Sequence, residues 1–235
     1  MIGVLDSGGG GLYTYRLLRS MLPDAPLALF CDRPHAPYGT KRECEIVSLV
    51  SEGINALMKI GANRVLIACC TASTIYGKLP EQLRKASLPI IYPAAYSAAK
   101  SGERVAIIAT SHTTSSHAFG QTIHEINPHV TLLERDAQPL VAMVDNGSHD
   151  GCCTEECREY LDSLARELDS FHPDTLLLGC THFSNLEGEL RSRLSYVRTV
   201  SPAREGARLI AEEYLSSRIS HSGRAKNIYT EGKRR

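Results

Sequence analysis

Short apolar runs alternate along this chain with longer segments in which apolar residues recur every three or four positions. The runs are Met1–Asp6, Leu27–Cys31, Val65–Ala68, Pro89–Tyr92, Arg104–Ala109, Val130–Leu133 and Leu176–Leu178. Runs of this kind, separated by amphipathic segments, are typical of buried strands that alternate with helices. The pattern therefore predicts an α/β fold with mainly parallel sheets and helices on both faces.

The amphipathic segments predict the helices. Four of them are Leu12–Leu22, a stretch from the CCTAS motif to about Ala86, Glu155–Phe171 and Ala203–Leu215. The best-marked helix follows Thr40, which has capping-box spacing to Glu43. Its apolar stripe is Val47, Val50, Ile54, Leu57 and Met58, and Gly61 is expected to end it. The Ser/Thr-rich segment Thr110–Ser116 is expected to be a loop.

The two halves of the sequence resemble each other. The segment VLIACCTAS in the first half corresponds to TLLLGCTHF in the second, and IGVLDSGGGG corresponds to VAIIATSHTT. A segment rich in Ala, Ser, Lys and Gly at residues 93–103 lies between them and predicts a boundary. We therefore expect two pseudo-symmetric three-layer αβα domains, residues 1–95 and 96–202. Residues from about 203 to 235, including the run Asn227–Thr230, are expected to cross back to the first.

The repeat places Cys69 and Cys180 at equivalent positions, each at the carboxyl end of a strand. Ligands of open α/β sheets bind at that edge, so two facing halves would put one thiol on either side of a shared cleft. Two thiols that face one carbon can remove a proton from one side and deliver a proton to the other. This arrangement is suited to inverting a stereocentre.

Four segments carry a more specific resemblance. LDSGGGGL, PHAPYGTK, IACCTAS and GCTHF, in this order and spacing, resemble the signature segments of glutamate racemases, in the aspartate/glutamate racemase superfamily. The resemblance implies a cofactor-independent isomerase that interconverts L- and D-glutamate and supplies D-glutamate for peptidoglycan. It implies neither a cofactor nor a metal.

The resemblance also implies roles for individual residues. Cys69 is expected to act on the D-enantiomer and Cys180 on the L-enantiomer, with Asp6 and His182 as the catalytic groups that help the thiols exchange protons. The expected substrate-binding residues are Asp6, Ser7, Tyr38, Gly39, Cys70, Thr71, Thr181 and His182. Thr110 and Thr113 are further candidates. Two simpler interpretations stay open: Asp6 could cap the following helix, and His182 could be a core histidine.

The sequence departs from the family pattern at a few positions. Cys70 stands where the family has Asn, and a thiol is a weaker donor and acceptor than an amide. Asp145 stands in place of a Glu, Ser184 in place of a Pro and Phe183 in place of a Tyr. Because of Cys70, two alternatives remain: a related racemase for another amino acid such as aspartate, or a catalytically weakened binding or regulatory relative.

Two other motifs invite different chemistry. His149, Cys152, Cys153 and Cys157 have ligand types that zinc favours, but a helical stripe through Cys153, Cys157 and Leu161 explains their spacing by core packing. We therefore predict no metal. LDSGGGGL lacks the Lys-Ser/Thr ending of a phosphate-binding loop and the glycine spacing of a dinucleotide site.

Composition narrows the class of protein. The 26 basic and 26 acidic residues cancel, which gives no electrostatic basis for nucleic-acid binding. No apolar run approaches the roughly 18 residues that span a bilayer, so we expect no membrane association. The first residues show no signal peptide, and eight cysteines then suggest reduced thiols. We expect a cytoplasmic protein with a small-molecule substrate, glutamate, and a homodimer is a possible assembly.

Overall fold

A computed structural model of the chain describes residues 1–146 and 154–226, with side chains through 144 and from 154 to 218. Its strands form two parallel sheets of four strands each. The first sheet contains β1 (Ile2–Asp6), β2 (Leu27–Cys31), β3 (Arg64–Ile67) and β4 (Ser87–Pro89) in the order β2-β1-β3-β4. The second contains β5 (Arg104–Ala109), β6 (Thr131–Asp136), β7 (Thr175–Gly179) and β8 (Arg198–Val200) in the order β6-β5-β7-β8.

The identical strand order confirms the predicted α/β fold of two similar halves. In each sheet the first strand pairs with both the second and the third, as Ile2 aligns with Leu27 and with Arg64 in the first sheet. In the second sheet Val105 aligns with Leu132 and Thr175. The strands β3 and β7, which precede Cys69 and Cys180, are therefore equivalent.

Helices connect and cover the strands. They are α1 (Gly11–Met21), α2 (Glu43–Lys59), α3 (Cys70–Thr74), α4 (Glu81–Ala86), α5 (Ile91–Ser101), α6 (Ser111–Ser116), α7 (Ala118–Ile126), α8 (Pro139–Asn146), α9 (Glu155–Phe171), α10 (Glu187–Arg193) and α11 (Pro202–Lys226). Short 3₁₀ helices lie at Arg33–His35, Tyr38–Thr40, Tyr76–Lys78 and Thr181–Leu186. No helix in these described ranges is long and apolar enough to span a bilayer.

One hydrophobic cluster joins the two sheets. Val4 and Leu66 of the first sheet belong to the same cluster as Ile107 and Leu177 of the second and Ile210 of α11. The helix α11 packs against both α1 and α5. The prediction that residues 203–235 cross back to the first half stays a prediction, and its run Asn227–Thr230 lies outside the described residues. The division into two domains at residues 95 and 96 stays a prediction.

The predicted boundary segment at 93–103 lies mostly within the helix α5. Ala94, Ala95, Ala98 and Ala99 are buried there. Alanine is the strongest helix former and its small side chain allows close packing, so an alanine-rich composition that resembles a linker here forms a central helix. The expectation of a strand at the run Pro89–Tyr92 is wrong, because this apolar run spans the end of β4 at Pro89 and the start of α5 at Ile91.

Two other local predictions differ from the structure. The helix α2 does begin at Glu43, but its capping pair is Arg42 and Glu45, whose Oε2 accepts from the Arg42 backbone N–H at 3.1 Å. Thr40 instead ends a 3₁₀ helix. The predicted loop at Thr110–Ser116 contains α6, since the Thr110 hydroxyl accepts from Thr113 N–H at 3.4 Å and caps a helix.

Candidate active site

A cleft of about 760 Å³ lies at the carboxyl ends of strands from both sheets. Its wall includes every predicted site residue except Asp6, which is fully buried: Ser7, Tyr38, Gly39, Cys69, Cys70, Thr71, Cys180, Thr181 and His182. The parallel strands of each sheet end on the same side, so residues far apart in sequence meet here.

Cys69 lies at the N-terminal end of α3 and caps that helix. Its Sγ accepts from the Ala72 backbone N–H at 3.4 Å and lies 3.2 Å from the Ser7 hydroxyl oxygen. Burial, and then the nearby charge of Asp6, raise the pKa of the Cys69 thiol to about 12. The thiol is therefore protonated at neutral pH, and it can donate a proton before it accepts one.

Cys180 has a different neighbour. It follows β7 and precedes the 3₁₀ helix Thr181–Leu186, and its Sγ lies 3.6 Å from Nδ1 of His182. Both side chains are buried, with only 7% and 8% of their surface exposed. An imidazole at this distance can take a proton from the sulfur or return one, because histidine changes charge near neutral pH. His182 therefore lines the cleft wall beside the sulfur.

Asp6 connects the two halves from beneath the cleft. Its Oδ1 accepts from the Gly8 backbone N–H at 2.8 Å, and its Oδ2 accepts from the Thr181 hydroxyl at 3.3 Å. Burial raises the pKa of the Asp6 carboxyl, and His182 opposes that rise. Gly10 occupies the N-cap position of α1, and the Asp6 carboxylate also has a hydrogen bond with the backbone of Gly11, the first residue of that helix. The carboxylate therefore holds the glycine loop and the Cys180 loop together.

The glycine-rich loop is required by close packing between the halves. A Cβ at Gly10 would lie 2.2 Å from Oγ1 of Thr181 and 3.2 Å from Nδ1 of His182. A Cβ at Gly11 would lie 2.3 Å from that of Asp6. Only glycine lets the backbone come this near to the polar side chains. Close packing against Asp6 and Thr181 therefore accounts for the glycines of this loop, and a phosphate-binding role is not needed to explain them.

Three threonines form a second polar group in the cleft. The Thr71 hydroxyl lies 3.0 Å from that of Thr110 and 3.2 Å from that of Thr113, and Thr110 donates to Thr113 at 2.9 Å. All three are buried. Thr71 comes from the first half and the other two from the second, so these hydroxyls join the halves at a second point.

Tyr38 brings with it a residue that the sequence analysis missed. Its hydroxyl donates to Oδ2 of Asp32 at 2.7 Å, and His35 Nδ1 lies 2.7 Å from Oδ1 of the same carboxylate. Burial, together with Asp32, raises the pKa of Tyr38. Because the Tyr38 hydroxyl donates its proton to Asp32, its oxygen can only accept a hydrogen bond from a ligand. Asp32 follows β2 directly, as Asp6 ends β1. An acidic residue at the end of an apolar run could therefore have indicated Asp32 from the sequence alone.

Other cleft residues gave no such signal. Arg16, Arg33 and Gln138 line the cleft, and no carboxylate does so among the described residues. Two guanidinium groups at the wall favour an anionic ligand. Because these side chains come from separate helices and connections, only the tertiary structure brings them to one surface.

Cys70 lies in the cleft wall and is 2% exposed. Burial raises the pKa of its thiol, so it is neutral at physiological pH and acts as a weak hydrogen-bonding group. The position where the family pattern has Asn therefore faces the site. Asp145, whose side chain is not described, cannot be placed in it.

Of the four residues whose types would suit zinc, His149, Cys152 and Cys153 lie outside the described residues. Cys157 is buried in an apolar cluster with Leu161. Among the residues described, no three His, Cys, Asp or Glu side chains are arranged to hold a metal ion.

Comparison with known proteins agrees with this geometry. Residues 2–210 match the Asp/Glu/Hydantoin racemase family. The chain is 32% identical to the glutamate racemase of Limosilactobacillus reuteri over 98% of its own length and 87% of that protein. The structure superposes on the glutamate racemase isoform RacE1 of Bacillus anthracis with a TM-score of 0.83 and 29% identity, covering 95% and 82% of the two chains. It superposes on the glutamate racemase of Francisella tularensis in complex with D-glutamate with a TM-score of 0.80 and 28% identity, covering 92% and 81%.

Proposed function

This chain belongs to the Asp/Glu/Hydantoin racemase family, and from that premise we propose that it is a glutamate racemase. It would interconvert L- and D-glutamate by proton transfer at the α-carbon, without a cofactor, and supply D-glutamate for peptidoglycan in the cytoplasm. The observation that carries the proposal is the pair of thiols, Cys69 and Cys180, that follow equivalent strands of the two sheets and line one cleft.

In the direction from L to D, Cys180 removes the α-proton and Cys69 protonates the opposite face. The setting of each thiol supports this order. Cys69 is held as a neutral thiol by burial and by the charge of Asp6, so it is ready to donate. Cys180 can pass a proton to His182, whose Nδ1 lies 3.6 Å away. A positioned acid and base of this kind each accelerate proton transfer substantially.

In the direction from D to L the roles exchange. Cys69 must first pass its proton to Asp6, its expected proton partner, and Ser7 at 3.2 Å together with the Ala72 N–H at 3.4 Å can stabilise the resulting thiolate by hydrogen bonds. Cys180 then donates, and its proton can be replaced from His182. Because the two enantiomers differ only in which face carries the proton, one site with both thiols serves both directions.

Substrate binding would use the polar groups that remain. The hydroxyl of Thr71, whose proton is not assigned to Thr110 or Thr113, and the backbone N–H groups of the loops can donate to carboxylates. The Tyr38 oxygen, which has given its proton to Asp32, can accept from the ammonium group. The guanidinium groups of Arg16 and Arg33 at the cleft wall would attract a substrate with two carboxylates.

One observation favours a second candidate. Cys70 replaces the amide of the family pattern and lies in the cleft wall, which weakens one substrate anchor. The protein could thus be a racemase for another amino acid, such as aspartate, or a binding protein with weak turnover. Both alternatives keep the fold. In the first of them the site removes the α-proton of another amino acid, and in the second it binds an amino acid but hardly removes the α-proton.

Deuterium exchange at the α-carbon separates these functions. The full-length protein is incubated in D₂O with glutamate, aspartate and a panel of neutral amino acids, and the loss of the α-proton signal is followed by NMR. Exchange with glutamate together with loss of optical rotation supports the proposal. Exchange confined to another amino acid supports the second function, and D-glutamate binding without any exchange supports the third.

Contamination by a host racemase is controlled by matched variants. The Cys69→Ala protein is prepared beside Cys44→Ala, in which an exposed thiol outside the cleft is removed. Activity that persists equally in both variants would contradict the proposed function.

A further inference from the structure

Gln138 is a cleft residue that the mechanism above does not use. It lies between β6, which ends at Asp136, and α8, which begins at Pro139, and its half-buried side chain lines the cleft. Its backbone N–H donates to Oδ1 of Asp136 at 2.8 Å, which holds this connection in place.

The side-chain amide of Gln138 has a defined orientation. Its Oε1 accepts from the Ser111 backbone N–H at 3.3 Å. Because a backbone donor can only meet the carbonyl end of an amide, the NH₂ group is the end that is left to meet a ligand. An NH₂ group offers two donors and no acceptor, which is what a carboxylate requires.

Gln138 crosses from the second half to the first. A Cβ at Gly39 would lie 2.8 Å from Oε1 of Gln138 and 3.5 Å from Cβ of Thr110. The missing side chain at Gly39 therefore gives the amide room beside the Tyr38–Gly39 segment. This places Gln138 next to the group of three threonine hydroxyls, of which Thr110 is one.

The cleft has two polar groups with different neighbours. In the first group Ser7 lies 3.2 Å from the Cys69 sulfur, His182 lies 3.6 Å from the Cys180 sulfur, and Thr181 donates to Asp6. The second group contains Gln138, Gly39 and the threonines, and the hydrogen bonds described for it include none to a sulfur. If the sulfurs flank the α-carbon, the second group must meet the part of the substrate that lies farther away.

We propose that Gln138 is a specificity-determining residue, whose amide NH₂ donates to the side-chain carboxylate of the amino acid. This inference rests on the proposed function and names its substrate class as amino acids with an anionic side-chain terminus. A side-chain carboxamide would present its own NH₂ group in part, and an apolar side chain would leave the donors of Gln138 unpaired. Gln138 also supplies an amide group to a cleft in which Cys70 stands where the family pattern has Asn.

Gln138→Glu is the sharpest test. The variant keeps the length of the side chain and an oxygen that accepts from Ser111, but it loses the donor and adds a negative charge beside the substrate carboxylate. We expect the KM for both enantiomers of glutamate to rise by about tenfold or more, with kcat unchanged. A change in KM alone is the signature of lost substrate binding. Gln82→Glu, the same change at an exposed position of α4, is the matched control and should match the wild type.

Each remaining result decides against one part of the argument. An unchanged KM in Gln138→Glu, with a racemising wild type, overturns the role of Gln138 and leaves the proposed function intact. A fall in kcat together with a lower melting temperature also overturns it, since that would show a structural role only. If the wild type exchanges no α-proton of glutamate, the proposed function fails. Calorimetric titration with D-glutamate then tests Gln138 separately, where binding weaker by about tenfold in Gln138→Glu supports the inference and equal binding contradicts it.

Discussion

Cys69 and Cys180 occupy equivalent places in two sheets of the same strand order, yet their surroundings differ. The Cys69 sulfur has a hydroxyl at 3.2 Å and a backbone N–H at 3.4 Å, and the carboxylate of Asp6 helps to keep it protonated. The Cys180 sulfur has an imidazole at 3.6 Å. Asp6 reaches the Cys180 loop through Thr181, so the two surroundings are also connected.

This difference teaches that a repeated backbone can carry unlike chemistry. Strand order and strand length place the two sulfurs, because side chains at the carboxyl ends of parallel strands share one edge. The proton partner of each sulfur comes from the loop beyond the strand, where the two halves have different sequences. Under the proposed function, one thiol is set to donate first and the other to accept first.

Removing either thiol should have the largest effect. In Cys69→Ala and in Cys180→Ala we expect racemisation to fall by about a thousandfold or more in both directions, because each direction needs an acid and a base. Polarimetry with each enantiomer measures this, and Cys44→Ala is the control. Retained activity in either variant would remove the two-thiol mechanism.

Serine replacements should separate the two faces. A hydroxyl is a far poorer base than a thiolate, and loss of chloride from β-chloroglutamate needs only one base, on the face that carries the α-proton. We expect the Cys69→Ser protein to eliminate chloride only from the L-enantiomer of this analogue and the Cys180→Ser protein only from the D-enantiomer. The measurement is the release of chloride. Both proteins are made in a Cys70→Ala background so that Cys70 cannot act as a substitute base. Elimination from the same enantiomer in both would show that the thiols do not lie on opposite faces.

Removing the proton partner of Cys180 should give a smaller, one-sided loss. His182→Asn should slow elimination from the L-analogue by about a hundredfold and leave elimination from the D-analogue unchanged, because His182 lies beside Cys180. Elimination is the appropriate readout because the equilibrium constant of a racemisation is one, so kcat/KM must change equally in both directions. Equal losses for both analogues in His182→Asn would mean that His182 serves both thiols.

The charge of Asp6 should control the protonation of Cys69. Because that charge raises the pKa of the Cys69 thiol, Asp6→Asn should lower this pKa and increase the thiolate fraction at any pH below it. The rate of alkylation of Cys69 at pH 8, followed by mass spectrometry in the Cys70→Ala background, should rise by about tenfold for each unit of the shift. Asp24→Asn, at an exposed acid, should leave the rate unchanged. A slower alkylation in Asp6→Asn would reverse the sign of this interaction.

The smallest effect is expected at Cys70. Since Cys70 lines the cleft, Cys70→Asn should restore an amide anchor and lower the KM for glutamate or raise turnover by a few-fold, about the value of one hydrogen bond. Steady-state kinetics with both enantiomers checks it. If neither parameter changes, the amide supplied by Gln138 already serves the substrate, or Cys70 does not contact it.

The strand positions were the most predictable part of the fold. All the central strands coincide with apolar runs, since a strand covered by helices on both faces must be apolar along its whole length. Thr110–Ser116 was predicted to be a loop but contains α6, and the helical state of residues 93–101 within α5 was not predicted, because short windows of small or polar residues do not show whether tertiary packing will make them helical. Helices α7 and α8 were not predicted either.

The sequence alone determined the two thiols, the strand ends that carry them and the segments that resemble a racemase, because these depend on residues close together in the chain. Only the tertiary structure decided which groups meet across the cleft. The hydrogen bond from Thr181 to Asp6, the threonine contacts between Thr71 and Thr110, and the approach of Gln138 to Gly39 all join residues distant in sequence. Such contacts follow from how the two sheets pack on their shared core, and no local pattern records that packing.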